Sequence, residues 1–266
     1  MSALPQDGLP PVPAVTLRPA TLVDHLKNVA IWTVSMTFFV PVATLMTLAC
    51  ATVGLDRSMP IQRFFAHWTV RLTGSSWRAV VHPDVDATRP CVFVHNHTNH
   101  FDFVLMHNAT PHYKRGLELE SHFRYPVYGW MMKTRGGIPV NPGVRGQTPE
   151  ILAGMRDALQ SGHAILAFPE GHRTLTGRLG PFRKGVFFLA RDLALPIVPV
   201  TVTGAYDLMR KGSLVVRPGQ ELTVYVDAPF ETQGLTDDEI PALLERVHAQ
   251  MSTRIDDYWR SRGWPS

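Results

Sequence analysis

Residues 163–168 read "HAILAF", an almost unbroken apolar run, and "PEG" follows at residues 169–171. Residues 197–204 read "IVPVTVTG" and have the same character. Short apolar runs that are bounded by turn residues are typical of strands buried on both faces, as in sheets that helices cover on each side. The two runs therefore predict the central strands of an α/β sheet flanked by helices.

Outward from this centre, the sequence predicts further strands and helices. The strands are short, β-branched runs bounded by turn residues: "WRAVVH" (77–82), "CVFVH" (91–95) and "GGIPV" (136–140). One helix is expected from Thr148, where a hydroxyl, a proline and an acid follow one another. A second, amphipathic helix is expected from Thr236, because Glu239 stands three residues later as in a capping box.

The chain-wide composition narrows the class of protein. The 266 residues carry 26 Lys and Arg against 22 Asp and Glu, and this mild basic excess suits anionic lipids or phosphorylated substrates. The excess is too small, and too scattered, to predict nucleic acid as a partner. Only Cys50 and Cys91 are present, in different contexts, so no disulfide framework is expected.

The amino-terminal part contains a long apolar segment. Residues 28–55 include no charged side chain. This apolar stretch is long enough to cross a bilayer, but Pro41 stands at its centre. A spanning helix and a hairpin of two short helices, broken at Pro41 and dipping into one leaflet, both fit. A buried pair of core helices and a secretory signal are the alternatives. We expect a disordered lead (1–24), a two-helix membrane motif (25–60) and a catalytic domain (61–266).

Residues 95–102 read "HNHTNHFD", and two kinds of chemistry fit this cluster. His95, His97 and His100 have the spacing of a His-x-His-x-Asp-His metal site, but Asn99 stands where an anionic ligand is needed. Alternatively His97 and Asp102 form a His-x4-Asp pair, in which the carboxylate holds one ring nitrogen and the other acts as a base. No serine or cysteine nucleophile stands beside them, so the proton would come from a substrate hydroxyl.

Four blocks, in order, resemble the glycerolipid acyltransferase family, whose best-known members are the 1-acylglycerol-3-phosphate O-acyltransferases. The blocks are "NHTNHFD" (96–102), "YPVYGWMMKTRGGIPVNP" (125–142), "FPEGHRTLTGRLGPFRKG" (168–185) and "LPIVPVTVTGA" (195–205). The resemblance covers about residues 75–230. It implies a glycerol-3-phosphate acyltransferase-like mixed sheet flanked by helices, preceded by the apolar two-helix motif.

The resemblance also implies a reaction. His97 would deprotonate the hydroxyl of a lysolipid such as lysophosphatidic acid, Asp102 would orient His97, and the alkoxide would attack a thioester directly. The thioester, acyl-coenzyme A or acyl carrier protein, is a co-substrate, and neither a cofactor nor a metal is expected. Membrane lipid is the expected partner, and we expect a monotopic or single-pass protein with its site on the cytoplasmic face.

The third block supplies candidate substrate-binding residues. A Pro-Glu-Gly turn after a buried strand presents Glu170 at the sheet edge where α/β proteins bind ligands, and Gly171 allows close approach. Arg173 offers a guanidinium fork for a phosphate or carboxylate, and Lys184 adds a second cation.

One departure from the family concerns the second block. The family commonly has an arginine after the strand, where this chain has Asn141 and Pro142. Either Arg145 or Arg135 replaces that cation and the acceptor is lysophosphatidic acid, or the acceptor is less anionic, such as lyso-ornithine lipid or a glycolipid. A lipid-binding protein without turnover is the alternative class.

Overall fold

The computed structural model describes residues 15, 18–141, 144 and 146–264. Within them a seven-stranded sheet has the order β1-β7-β6-β2-β5-β3-β4. Neighbouring strands are parallel except β6 and β7, which are antiparallel. The strands are β1 (Ser76–Val81), β2 (Val92–His95), β3 (Lys114–Leu119), β4 (Ile138–Val140), β5 (Ala164–Ala167), β6 (Ile197–Thr203) and β7 (Glu221–Val226). The expected mixed sheet is confirmed.

Helices cover both faces of the sheet. They are α1 (Leu22–Val53), α2 (Met59–Arg71), α3 (Asp102–Ala109), α4 (Tyr128–Thr134), α5 (Thr148–Gln160), α6 (Gly185–Asp192), α7 (Ala205–Leu208) and α8 (Ile240–Ser261), with a 3₁₀ helix at Glu120–Arg124. Alternate residues of β2 join different cores. Phe93 packs in the cluster that includes α1 to α4, whereas Val92 and Val94 pack in the cluster of α5, α6 and α8.

The central strands lie where the sequence predicts them. Every residue of β2, β5 and β6 is buried, so these strands are covered on both faces. Two strands were not predicted, because β3 ("KRGLEL") is charged and β7 ("ELTVYV") is flanked by long loops. The last helix begins at Ile240 and not at Thr236. The Glu239 carboxylate does accept the Thr236 N–H at 2.8 Å, but the intervening residues form a turn before the helix.

The apolar segment forms one helix, so the expectation of a hairpin broken at Pro41 is wrong. Helix α1 continues through Pro41, and the second helix, α2, begins only at Met59. Proline removes one hydrogen bond, to the carbonyl of Thr37, but the turns on each side keep theirs. Both expected boundaries, 24/25 and 60/61, fall inside helices, and most of the lead (1–24) lies outside the described residues.

Helix α1 leaves most of its apolar surface uncovered. Its 32 residues are about 48 Å long at the rise of an α-helix, against about 30 Å of bilayer hydrocarbon. Only 17% of the most apolar stretch of this helix is buried against the rest of the protein. By length and composition the helix could cross a membrane. The covered part packs on α2, where the Phe38 and Phe65 rings stack with centroids 6.1 Å apart.

Two polar side chains join the first half of α1 to the segment after α7. The Asn28 side chain accepts the Val216 N–H at 2.6 Å and donates to the Val216 carbonyl at 2.9 Å. The Trp32 indole N–H donates to the Leu214 carbonyl at 2.7 Å. Asn28 is buried, so its two bonds to Val216 are shielded from water, whereas the Trp32 bond is exposed. They fix α1 to the edge of the sheet domain.

We predict that Asn28→Ala destabilises the protein, because it leaves the buried N–H and C=O groups of Val216 without their partners. Each unsatisfied group costs about 1–3 kcal/mol. Denaturant unfolding in detergent micelles measures the loss. Thr33→Ala is the matched control, since the Thr33 hydroxyl is exposed and bonds only to its own helix at Val29. Equal stabilities of the two variants would contradict the prediction.

Candidate active site

The loops that follow β2, β5 and β6 meet at one edge of the sheet. These strands are adjacent and parallel, so their carboxyl ends lie side by side. The first block follows β2, the third block follows β5, and the fourth block contains β6. Three segments that are distant in the sequence therefore form a single site.

His97 and Asp102 form a hydrogen-bonded pair at this edge. Asp102 is the first residue of α3 and is fully buried. Its Oδ2 accepts from His97 Nδ1 at 2.9 Å, and from the backbone N–H groups of Thr98 and Asn99 at 2.6 and 2.9 Å. An oxygen that accepts three N–H groups requires a proton on His97 Nδ1. The ring nitrogen Nε2 of the neutral imidazole is then the free base.

The His97 ring is oriented by a second contact. It stacks on Phe168, with centroids 4.1 Å apart and an angle of 27° between the planes. Its side chain remains 26% exposed, and Nε2 makes no hydrogen bond to any described residue. The ring is thus held on one nitrogen and one face, and the basic nitrogen is open to a substrate.

Glu170 fixes the backbone of His97. One carboxylate oxygen accepts the His97 N–H at 2.7 Å, and the other accepts the Gly180 N–H at 2.8 Å. The Thr174 N–H donates to the His97 carbonyl at 2.7 Å. Glu170 is only 3% exposed, and burial raises its pKa to about 8 although its two accepted hydrogen bonds favour the charged form. The structure places Glu170 as a positioning residue that joins the first and third blocks.

Two glycines make room for this arrangement. Gly171 has a φ of +71°, and a Cβ there would lie 2.8 Å from the Arg183 guanidinium. A Cβ on Gly180 would lie 3.0 Å from Glu170 Oε2. Side chains at these positions would displace the groups that surround the carboxylate. The close neighbour of Gly171 is thus the Arg183 side chain, and the expected role of Gly171 in binding substrate stays a prediction.

The third block places one cation, Arg173, beside the first block. Arg173 Nη1 donates to His100 Nε2 at 2.8 Å, and burial together with the Arg173 charge lowers the pKa of His100. Lys184 is partly exposed just before α6, and no carboxylate among the described residues pairs with it or with Arg173. Arg145 lies outside the described residues, so its expected role stays a prediction.

The metal alternative is not supported by the side chains. His95 is fully buried, its Nδ1 faces the Asn96 carbonyl, and its ring lies against Phe168. His97 and His100 have separate partners, Asp102 and Arg173. Across the described ranges, no three His, Cys, Asp or Glu side chains form a group that could hold a metal.

Comparison with known proteins identifies the domain. Residues 78–203 match the family model described as Acyltransferase. This part of the chain, a little under half of its residues, is similar to the acyltransferase family. A chloroplastic 1-acyl-sn-glycerol-3-phosphate acyltransferase of Brassica napus is 31% identical over 141 residues, which cover 53% of this chain and 41% of that protein. The resemblance drawn from the four sequence blocks is confirmed.

Other relatives extend the match. A 1-acyl-sn-glycerol-3-phosphate acyltransferase of Chlamydomonas reinhardtii is 28% identical over 213 residues, covering 76% of this chain and 63% of its own length. The chain thus spans less than two thirds of these curated relatives. The crystal structure of the Thermotoga maritima 1-acyl-sn-glycerophosphate acyltransferase PlsC has a TM-score of 0.75, with 18% identity, and covers 89% of this chain and 96% of its own. That similarity confirms the fold.

Sequence reasoning missed the structural role of two asparagines in the first block. The Asn96 side chain pairs with both backbone groups of Val202, at 2.8 and 3.0 Å. The Asn99 amide donates to the carbonyls of Ala205 and Met209 at 2.6 and 3.0 Å. Their position in the first block was visible, but their distant partners were not. The Asn99 amide ties the first block to the segment after β6, and an amide can donate both of these hydrogen bonds, which a carboxylate cannot. This explains why an amide stands where a metal site needs a carboxylate.

Arg135 does not replace the missing cation of the second block. Its guanidinium lies over the Phe103 ring, 4.6 Å from the centroid, and contacts His107 at 3.3 Å. Arg135 is only 5% exposed. The expectation that it approaches an acceptor phosphate is therefore wrong, because packing in the core keeps it away from the surface.

We predict that Glu170 makes stability fall as the pH rises. Its pKa in the folded protein is about 8 against an ordinary 4.5, so its contribution is full below about 4.5 and is lost as the pH rises through 8. Denaturant unfolding across this window should show a flatter pH dependence for Glu170→Gln than for the unmodified protein. Subtracting one curve from the other cancels the contributions of the other titrating groups to the unfolding free energy. Parallel curves would contradict the prediction.

Proposed function

We propose that the protein transfers a fatty acyl group from a thioester to the hydroxyl of a lysolipid. The observation that carries the proposal is the His97–Asp102 pair, with Nε2 open, inside an acyltransferase-family domain. The names of the relatives support 1-acylglycerol-3-phosphate as the acceptor. Acyl-coenzyme A and acyl carrier protein remain the two candidate donors.

The geometry supports direct transfer without an acyl-enzyme. His97 Nε2 takes the proton of the acceptor hydroxyl, and the oxygen attacks the thioester carbonyl. The C–S bond then breaks, and the departing thiolate takes the proton from the imidazolium, whose charge Asp102 stabilises. Neither cysteine fits as a nucleophile, because Cys50 and Cys91 are buried and burial raises the pKa of Cys91 to about 12.

A phosphate on the acceptor fits the cations of the third block. Arg173, Arg183 and Lys184 lie in the loop between β5 and α6, and the residues from His172 to Arg191 include no acid. Arg183 is exposed beside Gly171, close to the turn that holds His97 in place. A guanidinium binds phosphate through two parallel hydrogen bonds, which favours lysophosphatidic acid over a neutral acceptor such as a glycolipid.

The apolar surface of α1 supports a location at the membrane. Exposed apolar side chains recur along the whole helix, from Leu22 to Val53. Such a helix would hold the site next to a substrate whose acyl chains lie in the bilayer. We propose a monotopic or single-pass attachment, with the active site on the cytoplasmic face.

We predict that His97→Ala lowers the rate of transfer by roughly 100- to 10,000-fold, the range for loss of a positioned acid–base group. Release of free thiol from acyl-coenzyme A, in the presence of a lysolipid, measures the rate. His172→Ala is the matched control, since His172 is an exposed histidine of the third block.

Asp102→Asn separates charge from geometry in the same assay. The amide oxygen can still accept the three N–H groups, so the ring keeps its orientation while the imidazolium loses its counter-charge. We expect a smaller loss than for His97→Ala. A His97→Ala variant that keeps a tenth or more of the rate would exclude His97 as the base, and a protein that binds lysolipid but never releases thiol would be a lipid-binding protein.

We predict a preference for lysophosphatidic acid that depends on Arg173. Arg173→Ala should raise the KM for lysophosphatidic acid and leave the KM for lysophosphatidylcholine or a sugar-headed lysolipid unchanged, since only the first presents a phosphate monoester. Product mass spectrometry with an acceptor panel measures this. Arg145→Ala tests the replacement of the family's cation, with Arg156→Ala, an exposed arginine of α5, as control. Equal use of all acceptors by the unmodified protein would redirect the assignment to a less anionic lysolipid.

A further inference from the structure

A second pocket lies outside the active site, beside the start of α1. Its volume is about 240 Å³, and three arginines line it: Arg18, Arg210 and Arg217. Ser213 and Val215 complete the wall on the side of the segment after α7. The pocket is therefore strongly basic, and neither the family blocks nor the proposed reaction uses it.

Among the described residues, only one of the three arginines pairs with a carboxylate. Arg18 forms a two-point ion pair with Asp24, at 2.7 and 3.1 Å. In residues 18–141 and 146–264, no carboxylate lies within ion-pair distance of Arg210 or Arg217. The other nearby acid, Asp207, is engaged by Tyr258 and Arg262. Two positive charges thus remain in the pocket.

The arrangement of these two arginines leaves donors available. Arg217 Nη2 donates to the Arg18 carbonyl at 2.5 Å, which accounts for one of its five N–H groups. Arg210 lies over the Tyr206 ring, 5.5 Å from the centroid, and both side chains are partly exposed. Partial burial and the charges of Arg210 and Arg18 lower the pKa of Arg217, so the like charges oppose one another. An anion between them would relieve that repulsion.

Apolar side chains border the basic pocket. Leu214 is 76% exposed, and its carbonyl is bound by Trp32 of α1. On α1 itself, Leu22, Leu26 and Val29 lie on one face and are each more than half exposed. A phosphate-binding pocket next to exposed apolar groups matches the boundary of a bilayer, where headgroup phosphates lie above acyl chains.

We propose that Arg210, Arg217 and Arg18 form a pocket for the phosphate of an anionic phospholipid headgroup. The Arg18 carbonyl accepts a hydrogen bond from Arg217, which joins the two sides of the pocket. The pocket holds the start of α1 at the level of the headgroups while the apolar face of α1 contacts the acyl chains. This binding requires no turnover and does not rest on the proposed function. Catalysis and headgroup binding can therefore fail independently.

Flotation on vesicles tests the pocket. The full-length protein is partitioned, without acyl donor, onto vesicles of phosphatidylcholine alone and of phosphatidylcholine with phosphatidylglycerol. A basic side chain at an anionic membrane surface contributes about fivefold to binding. Arg210→Ala/Arg217→Ala should therefore lower the preference for the anionic vesicles by roughly 25-fold. Binding to pure phosphatidylcholine should not change, because α1 is intact.

Matched variants make the result specific. Arg156→Ala removes one charge on α5, on the opposite side of the sheet, and should keep the preference. Arg210→Lys/Arg217→Lys keeps both charges but lacks the guanidinium fork, so it should recover the preference only in part. Thermal unfolding controls for folding, and Arg210→Ala alone, whose side chain makes no hydrogen bond to a described residue, decides the question if the double variant is unstable.

Three outcomes would overturn the proposal. The first is an unchanged anionic preference in the double variant. The second is an equal loss in Arg156→Ala, or full recovery with lysine, since either indicates diffuse charge and no defined pocket. The third is that inorganic phosphate, in place of chloride at equal ionic strength, raises the unfolding temperature of the unmodified protein but not of the double variant, while phosphatidylglycerol vesicles raise neither. That result would assign the pocket to free phosphate.

Discussion

The pairing of β2 between β5 and β6 is the constraint on which the site depends. These strands are parallel, so the loops that carry His97 and Glu170 leave the sheet at the same edge. The register is fixed because Val92, Phe93 and Val94 are fully buried and alternate between two cores. Slippage by one residue would exchange these faces and would move His97 away from the carboxylate that binds its backbone.

Much of this arrangement could be predicted from the sequence, because its signals are local. The apolar runs at residues 163–168 and 197–204 correspond to β5 and β6, and the run at 91–95 corresponds to β2. The pair of His97 and Asp102 is also local, since one turn of chain at the start of α3 brings them together. Residue type and spacing are sufficient in such cases.

The rest depends on contacts between distant segments. Nothing beside Glu170 in the sequence indicates that it binds the backbone of a residue 73 positions earlier, or that Asn96 pairs with a strand 106 positions later. Similarly, Pro41 is a local signal for a break, but packing on α2 and the intact turns on each side keep α1 continuous. Arg135 had a plausible position in the second block, and only the packing of Phe103 and His107 showed that it is buried.

The hydrogen bond between Glu170 and the His97 backbone also sets an order for folding. Glu170, whose carboxylate binds the His97 N–H, is synthesised 73 residues after His97. Val202 of β6, which pairs with the Asn96 side chain, is synthesised later still. Contacts of such separation form slowly compared with a helix, because a long loop must close first. During synthesis α1 is complete once Val53 has been added, whereas Glu170, which binds the His97 backbone, and Val202, which pairs with Asn96, are added much later. A growing chain therefore has its apolar helix complete long before the carboxylate that holds the His97 backbone has been added.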